Sequence, residues 1–153
     1  MCNFFSGLYT RTGDLLWHWC TDHHSELMRI FGLKDDREQY FVRVEFLPPS
    51  DLATVADVAT WQFKLDEERT PGWFDDDAKA DAIKKLGGVI ASHIVSGERD
   101  VLVDGPWILI DGANVSTILA GRIALISGKP TIQNAGSATI QVVKHKAGKA
   151  VTP

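Results

Sequence analysis

Three histidines and a cysteine near residue 20 are the residue types in this chain that most resemble a metal site. They are His18, Cys20, His23 and His24. Zinc is held tetrahedrally by thiolate sulfur and imidazole nitrogen, and the Cys20-x-x-His23 spacing suits two such ligands. Alternation with tryptophans along a strand would instead send these side chains to opposite faces, which favours surface histidines beside a helix cap. No metal or other cofactor is therefore expected, and a metal-assisted hydrolase is kept as the alternative.

Two other features suggest chemistry but have a simpler structural explanation. Cys2 would become an N-terminal nucleophile if Met1 were removed, because a free α-amine can act as its base. No glycine-rich oxyanion pattern accompanies it. Asp75, Asp76 and Asp77 could attract a cation, yet three carboxylates at a helix start are explained by capping and by the helix dipole. The sequence favours a non-enzyme without deciding the question.

Two cations in the C-terminal part have matching positions. Arg122 and Lys129 each directly follow a glycine, seven residues apart. If those glycine turns stack, both cations project from one side and can bind a phosphate, although two solvated turn residues remain the simpler interpretation. Trp73 follows a Pro-Gly break and Trp107 follows a Gly-Pro break, where an aromatic ring can line a pocket between two parts of the chain. These four residues form the candidate site for an anionic, nucleotide-type ligand.

Composition limits the classes of function. Residues 1–100 hold 18 acidic and 11 basic residues, whereas residues 101–153 hold 2 and 5, and the whole chain of 153 residues carries a net charge of −4. An acidic surface argues against general nucleic-acid binding, which needs clustered cations. No apolar run is long enough to span a membrane, and the first residues do not resemble a secretory signal. Only two cysteines are present, so a cytoplasmic location with reduced thiols is expected.

The first part of the chain, residues 1–97, has the pattern of a small acidic α+β domain. A hairpin is expected around Gly13, a short helix over 23–33, and strands over 41–47 and 61–65, where apolar residues alternate. Residues 51–59 are expected to form one or two helical turns. The longest helix is expected at about 78–95, with Ile94 on its apolar face and Gly87-Gly88 marking a kink or a close approach.

Regularly spaced glycines dominate residues 98–143. They recur at intervals of seven to nine residues and are separated by short runs of β-branched residues. The glycines are Gly97, Gly105, Gly112, Gly121, Gly128 and Gly136. Such a pattern predicts a β-meander or a short β-solenoid, and the polar turn residues favour the solenoid. A solenoid would leave an open edge at 140–143, which pairing with another chain would cover. Residues 144–153 are expected to be a flexible basic tail.

Several motifs together resemble a known group of proteins. They are Cys2-Asn3, the run from Thr12 to Trp17, the helix start from His24 to Leu27, the strand from Phe41 to Phe46, and Trp61 to Asp66 followed by Pro71 to Phe74. The chain resembles an uncharacterised group of phage and bacterial proteins in which a small N-terminal α+β domain precedes an array of short glycine-rich β repeats. The resemblance implies this fold and a phage or prophage origin, and it carries no catalytic residue.

The expected function follows from these elements. The chain is expected to be a non-catalytic binding or assembly module that forms a homo-oligomer through its β region. The resemblance implies a phage accessory role in the host cytoplasm, one version being sequestration of a host nucleotide signal as an anti-defence protein. The alternatives are the hydrolase above and a structural virion component.

Overall fold

The computed structural model describes residues 5–35 and 39–143, which form two α-helices, two short 3₁₀ helices and eleven strands. In chain order they are β1 (Phe5–Thr10), β2 (Leu15–Leu16), α1 (His24–Phe31), β3 (Phe41–Leu47), 3₁₀ helices at Leu52–Thr54 and Val58–Thr60, β4 (Gln62–Leu65), α2 (Asp76–Ser92), β5 (Ile94–Val95), β6 (Glu98–Leu102), β7 (Trp107–Leu109), β8 (Asn114–Ile118), β9 (Arg122–Leu125), β10 (Thr131–Asn134) and β11 (Thr139–Val142). The α+β class with a β-rich C-terminal region is confirmed. Cys2 and the basic segment 144–153 lie outside the described residues.

The N-terminal sheet is antiparallel, with strand order β2-β1-β3-β4. Every residue of β1 is buried because both faces of the strand are covered. On one face Leu8 packs with Leu27 of α1, and on the other Phe5 and Tyr9 join the core that includes α2. The predicted hairpin between β1 and β2 is present, and Gly13 adopts a φ of +87° in its turn. That value favours glycine, because other residues meet steric conflict there.

The two helices begin and end close to where the sequence predicts. Gly32 ends α1 in the left-handed conformation, and the Asp75 carboxylate caps α2 by accepting from the backbone N–H of Ala78. Gly87 makes a close approach, since a Cβ there would lie 3.1 Å from a methyl carbon of Val58. Ile94, expected on the helix face, lies instead in β5. No helix within the described residues is long and apolar enough to cross a membrane.

The C-terminal part is a β-solenoid rather than a meander, because its strands pair in parallel with strands one coil away. One sheet has the order β10-β8-β6 and the other β11-β9-β7-β5. Glu98 pairs with Asn114, which pairs with Thr131, so one coil spans 16 or 17 residues. Each coil therefore contains two glycine intervals. Gly121 stacks on Gly105 so closely that a Cβ on Gly121 would lie 2.1 Å from the Gly105 nitrogen.

The solenoid and the N-terminal domain share a core. Alternate residues of the β5-to-β11 sheet face two ways: Ile123 points into the solenoid, whereas Ile108 and Ala124 pack with Val42 and Ile90. Because the N-terminal domain covers this outer face, the described residues of that domain and the solenoid form one packed body. The opposite sheet, β10-β8-β6, contributes inward residues such as Val115 to the solenoid interior.

Candidate functional site

The histidine–cysteine cluster does not converge on one point. His18 Nδ1 lies 2.9 Å from Cys20 Sγ in an exposed turn and also accepts from the Cys20 backbone N–H. His23 Nε2 lies 3.6 Å from Asp22, and its side chain is exposed. His24 is buried at the start of α1, with Nδ1 3.4 Å from Asp66 and Nε2 3.2 Å from the Val44 carbonyl oxygen. Among the described residues no group of three or more His, Cys, Asp or Glu side chains has an arrangement that could hold a metal ion.

The acidic runs have structural roles in the described part of the chain. Asp75 caps α2, and Asp76 and Asp77 lie in its first turn, as the helix-dipole argument predicts. Glu67 accepts two hydrogen bonds from the Arg43 guanidinium group, which also pairs with Asp35. These residues line a surface depression of about 730 Å³. Burial lowers the pKa of Arg43, but the two carboxylates outweigh burial and raise it overall. The depression thus presents a cation that is already neutralised.

Arg122 holds the solenoid against the N-terminal domain. Its Nη1 lies 3.3 Å from Asp22 Oδ2, and its Nε donates to the Trp19 carbonyl oxygen at 3.2 Å. Only 15% of the Arg122 side chain is exposed. Burial lowers the pKa of its guanidinium group, and the Asp22 carboxylate opposes that shift. Arg122 is therefore engaged in a contact between residues about 100 positions apart.

Lys129 lies away from Arg122 because their two glycine turns do not stack. Gly121 stacks on Gly105, whereas Gly128 lies against Asp111, so the two turns are on successive half-coils. The Lys129 backbone N–H donates to Asp111, and its side chain is exposed beside a groove of about 560 Å³.

The two tryptophans lie in different parts of the described structure, and Trp107 pairs with Ile123 on the strand that Arg122 begins. Trp107 lies 4.9 Å from the ring of His93 and donates its indole N–H to the Val103 carbonyl oxygen. Trp73 donates to the Gln39 carbonyl oxygen and stacks edge-on against Phe74 in the N-terminal domain. The structure thus places Trp107 on the strand next to Arg122, Lys129 half a coil further along, and Trp73 against the N-terminal domain.

The open end of the solenoid is the most distinctive surface. β10 and β11 are the edge strands of their sheets, as the sequence leads one to expect for 140–143. Ile140 pairs with the buried Ile123, and Val142 pairs with Leu125, so both side chains continue inward-facing columns of the solenoid. They are nevertheless 40% and 55% exposed. We refer to β10, β11 and the turn between them as the open end.

The open end carries no charge. Between Thr131 and Val143 there is no Lys, Arg, Asp, Glu or His. At the other end of the same sheet, β6 presents Glu98, Arg99 and Asp100 to solvent. Charged side chains on an edge strand discourage pairing with another strand. That protection is present on β6 and missing on β10 and β11.

Sequence reasoning located the open edge but missed the Arg122–Asp22 contact and the contrast in charge between the two ends. The contrast is readable from the sequence once the coil length is known.

Comparison with protein-family models finds no match to this chain, and searches of curated proteins and of solved structures find none either.

Proposed function

We propose that this protein is a non-catalytic binding and assembly module that associates through the open end of its solenoid. The observation that carries the proposal is the exposure of Ile140 and Val142, two side chains that continue the buried columns of the interior. A further strand on β11 would cover both of them. It would also accept and donate the backbone hydrogen bonds that an edge strand presents.

Opposing energetic terms determine how strong an association at this end can be. Burying apolar surface contributes about 25 cal/mol per Å², and each additional hydrogen bond contributes about 1 kcal/mol net. Against these gains stands a cost of roughly 4 to 15 kcal/mol for lost translational and rotational freedom. Two short strands offer a small contact area, so we expect a dissociation constant of about micromolar magnitude. The simplest partner is a second copy of this chain, which would form the homo-oligomer expected from the sequence.

The more specific roles rest on the resemblance alone. A phage accessory protein that sequesters a nucleotide signal in the host cytoplasm would still need a cation at its ligand. Lys129, exposed at the groove beside β11, is better situated for this role than Arg122, which is paired with Asp22. Native mass spectrometry of gently purified protein tests this version, which predicts a small anionic mass released on denaturation. Finding the bare protein under conditions that keep weak ligands bound would contradict it.

The assembly itself is tested by placing a charge on the open end. Ile140→Lys puts an ammonium group where a partner strand would pack. We expect the dissociation constant from sedimentation velocity to rise by at least about 100-fold, because a buried unpaired charge is costly. The matched control is Val101→Lys on β6, which is 51% exposed and lies on an edge that already carries charges. This control should associate like the unaltered protein.

Folding of both variants is checked by circular dichroism and thermal unfolding. Because Ile140 is partly inward-facing, a second variant, Gln141→Lys, alters only an exposed position of the same strand. Association that survives both changes, or that Val101→Lys weakens equally, would contradict the proposal. An unaltered protein that stays monomeric at every accessible concentration would also contradict it.

A further inference from the structure

We propose that the partner at the open end is the same end of a second copy, joined by β11 pairing antiparallel with itself about a two-fold axis at Gln141. This inference rests on the proposed assembly and specifies its geometry. Three independent observations carry it: the direction of the backbone groups of β11, the facing of its side chains, and its lack of charge.

The backbone hydrogen bonds of β11 determine which groups face outward. The N–H groups of Thr139 and Val143 donate to the carbonyl oxygens of Gly121 and Leu125 on the inner side. N–H and C=O groups of successive residues in a strand point to alternate sides. The backbone N–H and C=O groups of Ile140 and Val142 therefore point to the open side of the sheet.

Antiparallel pairing of β11 with a second β11 satisfies these groups in one register. If Ile140 lies opposite Val142 of the second copy, the two residues exchange both of their hydrogen bonds, and symmetry repeats the exchange. Gln141 then lies opposite its own copy as a non-hydrogen-bonded pair. A shift of one residue would place outward-pointing groups opposite inward-pointing ones and would lose these bonds.

The side chains agree with the same register. Residues directly opposite one another in a sheet point to the same face. Ile140 and Val142 both face the solenoid interior, so the pairing joins the interior columns of the two copies. Gln141, which pairs with the outward-facing Ala124, faces the other side in both copies. The sheet would continue unbroken through the dimer.

The charge distribution favours this symmetric partner. A two-fold axis brings each group near its own copy, so a charged edge would repel itself, and the open end has no charged side chain. A head-to-tail arrangement would instead pair β11 with β5 of the next copy and β10 with β6. Strand β5 has only two residues and follows α2 directly, and β6 presents Glu98, Arg99 and Asp100. The structure therefore favours a closed dimer over a growing fibre.

Cysteine cross-linking tests the axis. In full-length protein with Cys2→Ser and Cys20→Ser, Gln141→Cys places two thiols on the proposed axis. The Cα atoms of a non-hydrogen-bonded pair lie about 4.5 Å apart, which is within disulfide range. We expect most of the protein to become a covalent dimer after mild oxidation. The control is Gln133→Cys, which is also exposed but lies on β10, a strand that this pairing does not join to its copy.

The outcomes separate this inference from the proposed function. A non-covalent oligomer that Ile140→Lys dissociates, but in which Gln141→Cys cross-links no more than Gln133→Cys, would overturn the two-fold pairing and leave the assembly intact. A monomer whose β11 amides are protected from hydrogen exchange would assign the edge to a segment of the same chain and would overturn both. Efficient cross-linking at Gln141 alone, in a species of twice the monomer mass, is the result we expect.

Discussion

The two ends of the solenoid differ in how their exposed strand edges are protected against pairing with other strands. A β-solenoid presents unsatisfied strand edges and an apolar interior at each of its two ends. At the first end, β5 is a two-residue strand that follows α2, and β6 carries Glu98, Arg99 and Asp100. At the open end, both edge strands are four residues long and uncharged, and interior positions are exposed.

This difference is the reason we propose that contact occurs at the open end and not at the first end. Short strands and charged side chains are the usual protection against unwanted pairing. The chain applies both at its first end and neither at its last. The account predicts that the two ends respond differently to the same substitutions.

The largest expected effect separates the interior from the open end. Ile123 and Ile140 occupy neighbouring positions in one inward column, with Ile123 fully buried and Ile140 40% exposed. We expect Ile123→Ala to lower the free energy of unfolding by about 3 kcal/mol, because it leaves a cavity in packed surroundings. Ile140→Ala should cost less than about 1 kcal/mol in the monomer, since little is packed beyond it.

Urea unfolding at a protein concentration low enough to keep the chain monomeric measures both values. Equal costs at the two positions would mean that Ile140 is already covered within one chain. That result would remove the basis of the comparison.

An effect of intermediate size on the free energy of unfolding is expected to distinguish Arg122 from Lys129, two cations with equivalent positions in the sequence. Arg122→Ala should lower the free energy of unfolding by about 2 kcal/mol, because it leaves Asp22 without its partner in a partly buried contact. Lys129→Ala should change it by less than about 0.5 kcal/mol, because Lys129 is exposed. The measurement is denaturant unfolding of both variants, and similar values for the two would contradict the assignment of Arg122 to the domain contact.

The smallest effect concerns pH and lies in the N-terminal domain. The Tyr9 hydroxyl donates to Asp81 of α2 at 2.6 Å, and burial together with this carboxylate raises the pKa of Tyr9 from 10.0 to about 12. The unfolded chain therefore loses this proton first as pH rises. The stability due to neutral Tyr9 is complete below pH 10.0 and is lost between there and about 12.

Tyr9→Phe should remove this part of the loss of stability at alkaline pH. The difference in stability between the variant and the unaltered protein should therefore shrink as pH rises from 10.0 to about 12. Tyr40→Phe is the control, because Tyr40 is 41% exposed. Thermal unfolding across the pH range makes the measurement, and parallel curves for Tyr9→Phe and the unaltered protein would refute the interpretation. The open end has no titratable side chain, so association should not follow this pH dependence.

Much of the fold could be predicted from local sequence signals. Gly32 and Asp75 mark helix ends because the conformation and the cap that they provide are local properties. The glycine spacing indicated the solenoid because each turn requires a residue that tolerates close stacking.

The relative positions of the candidate site residues were harder to predict, because they depend on which strands stack. A spacing of seven to nine residues is the length of half a coil, so Arg122 and Lys129 share an offset without sharing a face. The partner of Arg122 is Asp22, and no local pattern signals a contact over 100 residues. The exposed edge at Ile140 could be predicted because the run over 139–142 is the last of the short β-branched runs in this sequence.

The central claim is tested most directly by sedimentation equilibrium of the unaltered protein beside Ile140→Lys over a wide concentration range. The account predicts that the unaltered chain of 16.9 kDa moves toward twice that mass as its concentration rises, whereas Ile140→Lys stays at the monomer mass. A mass of 16.9 kDa for the unaltered protein at every concentration would contradict the account. So would an oligomer that Ile140→Lys leaves intact.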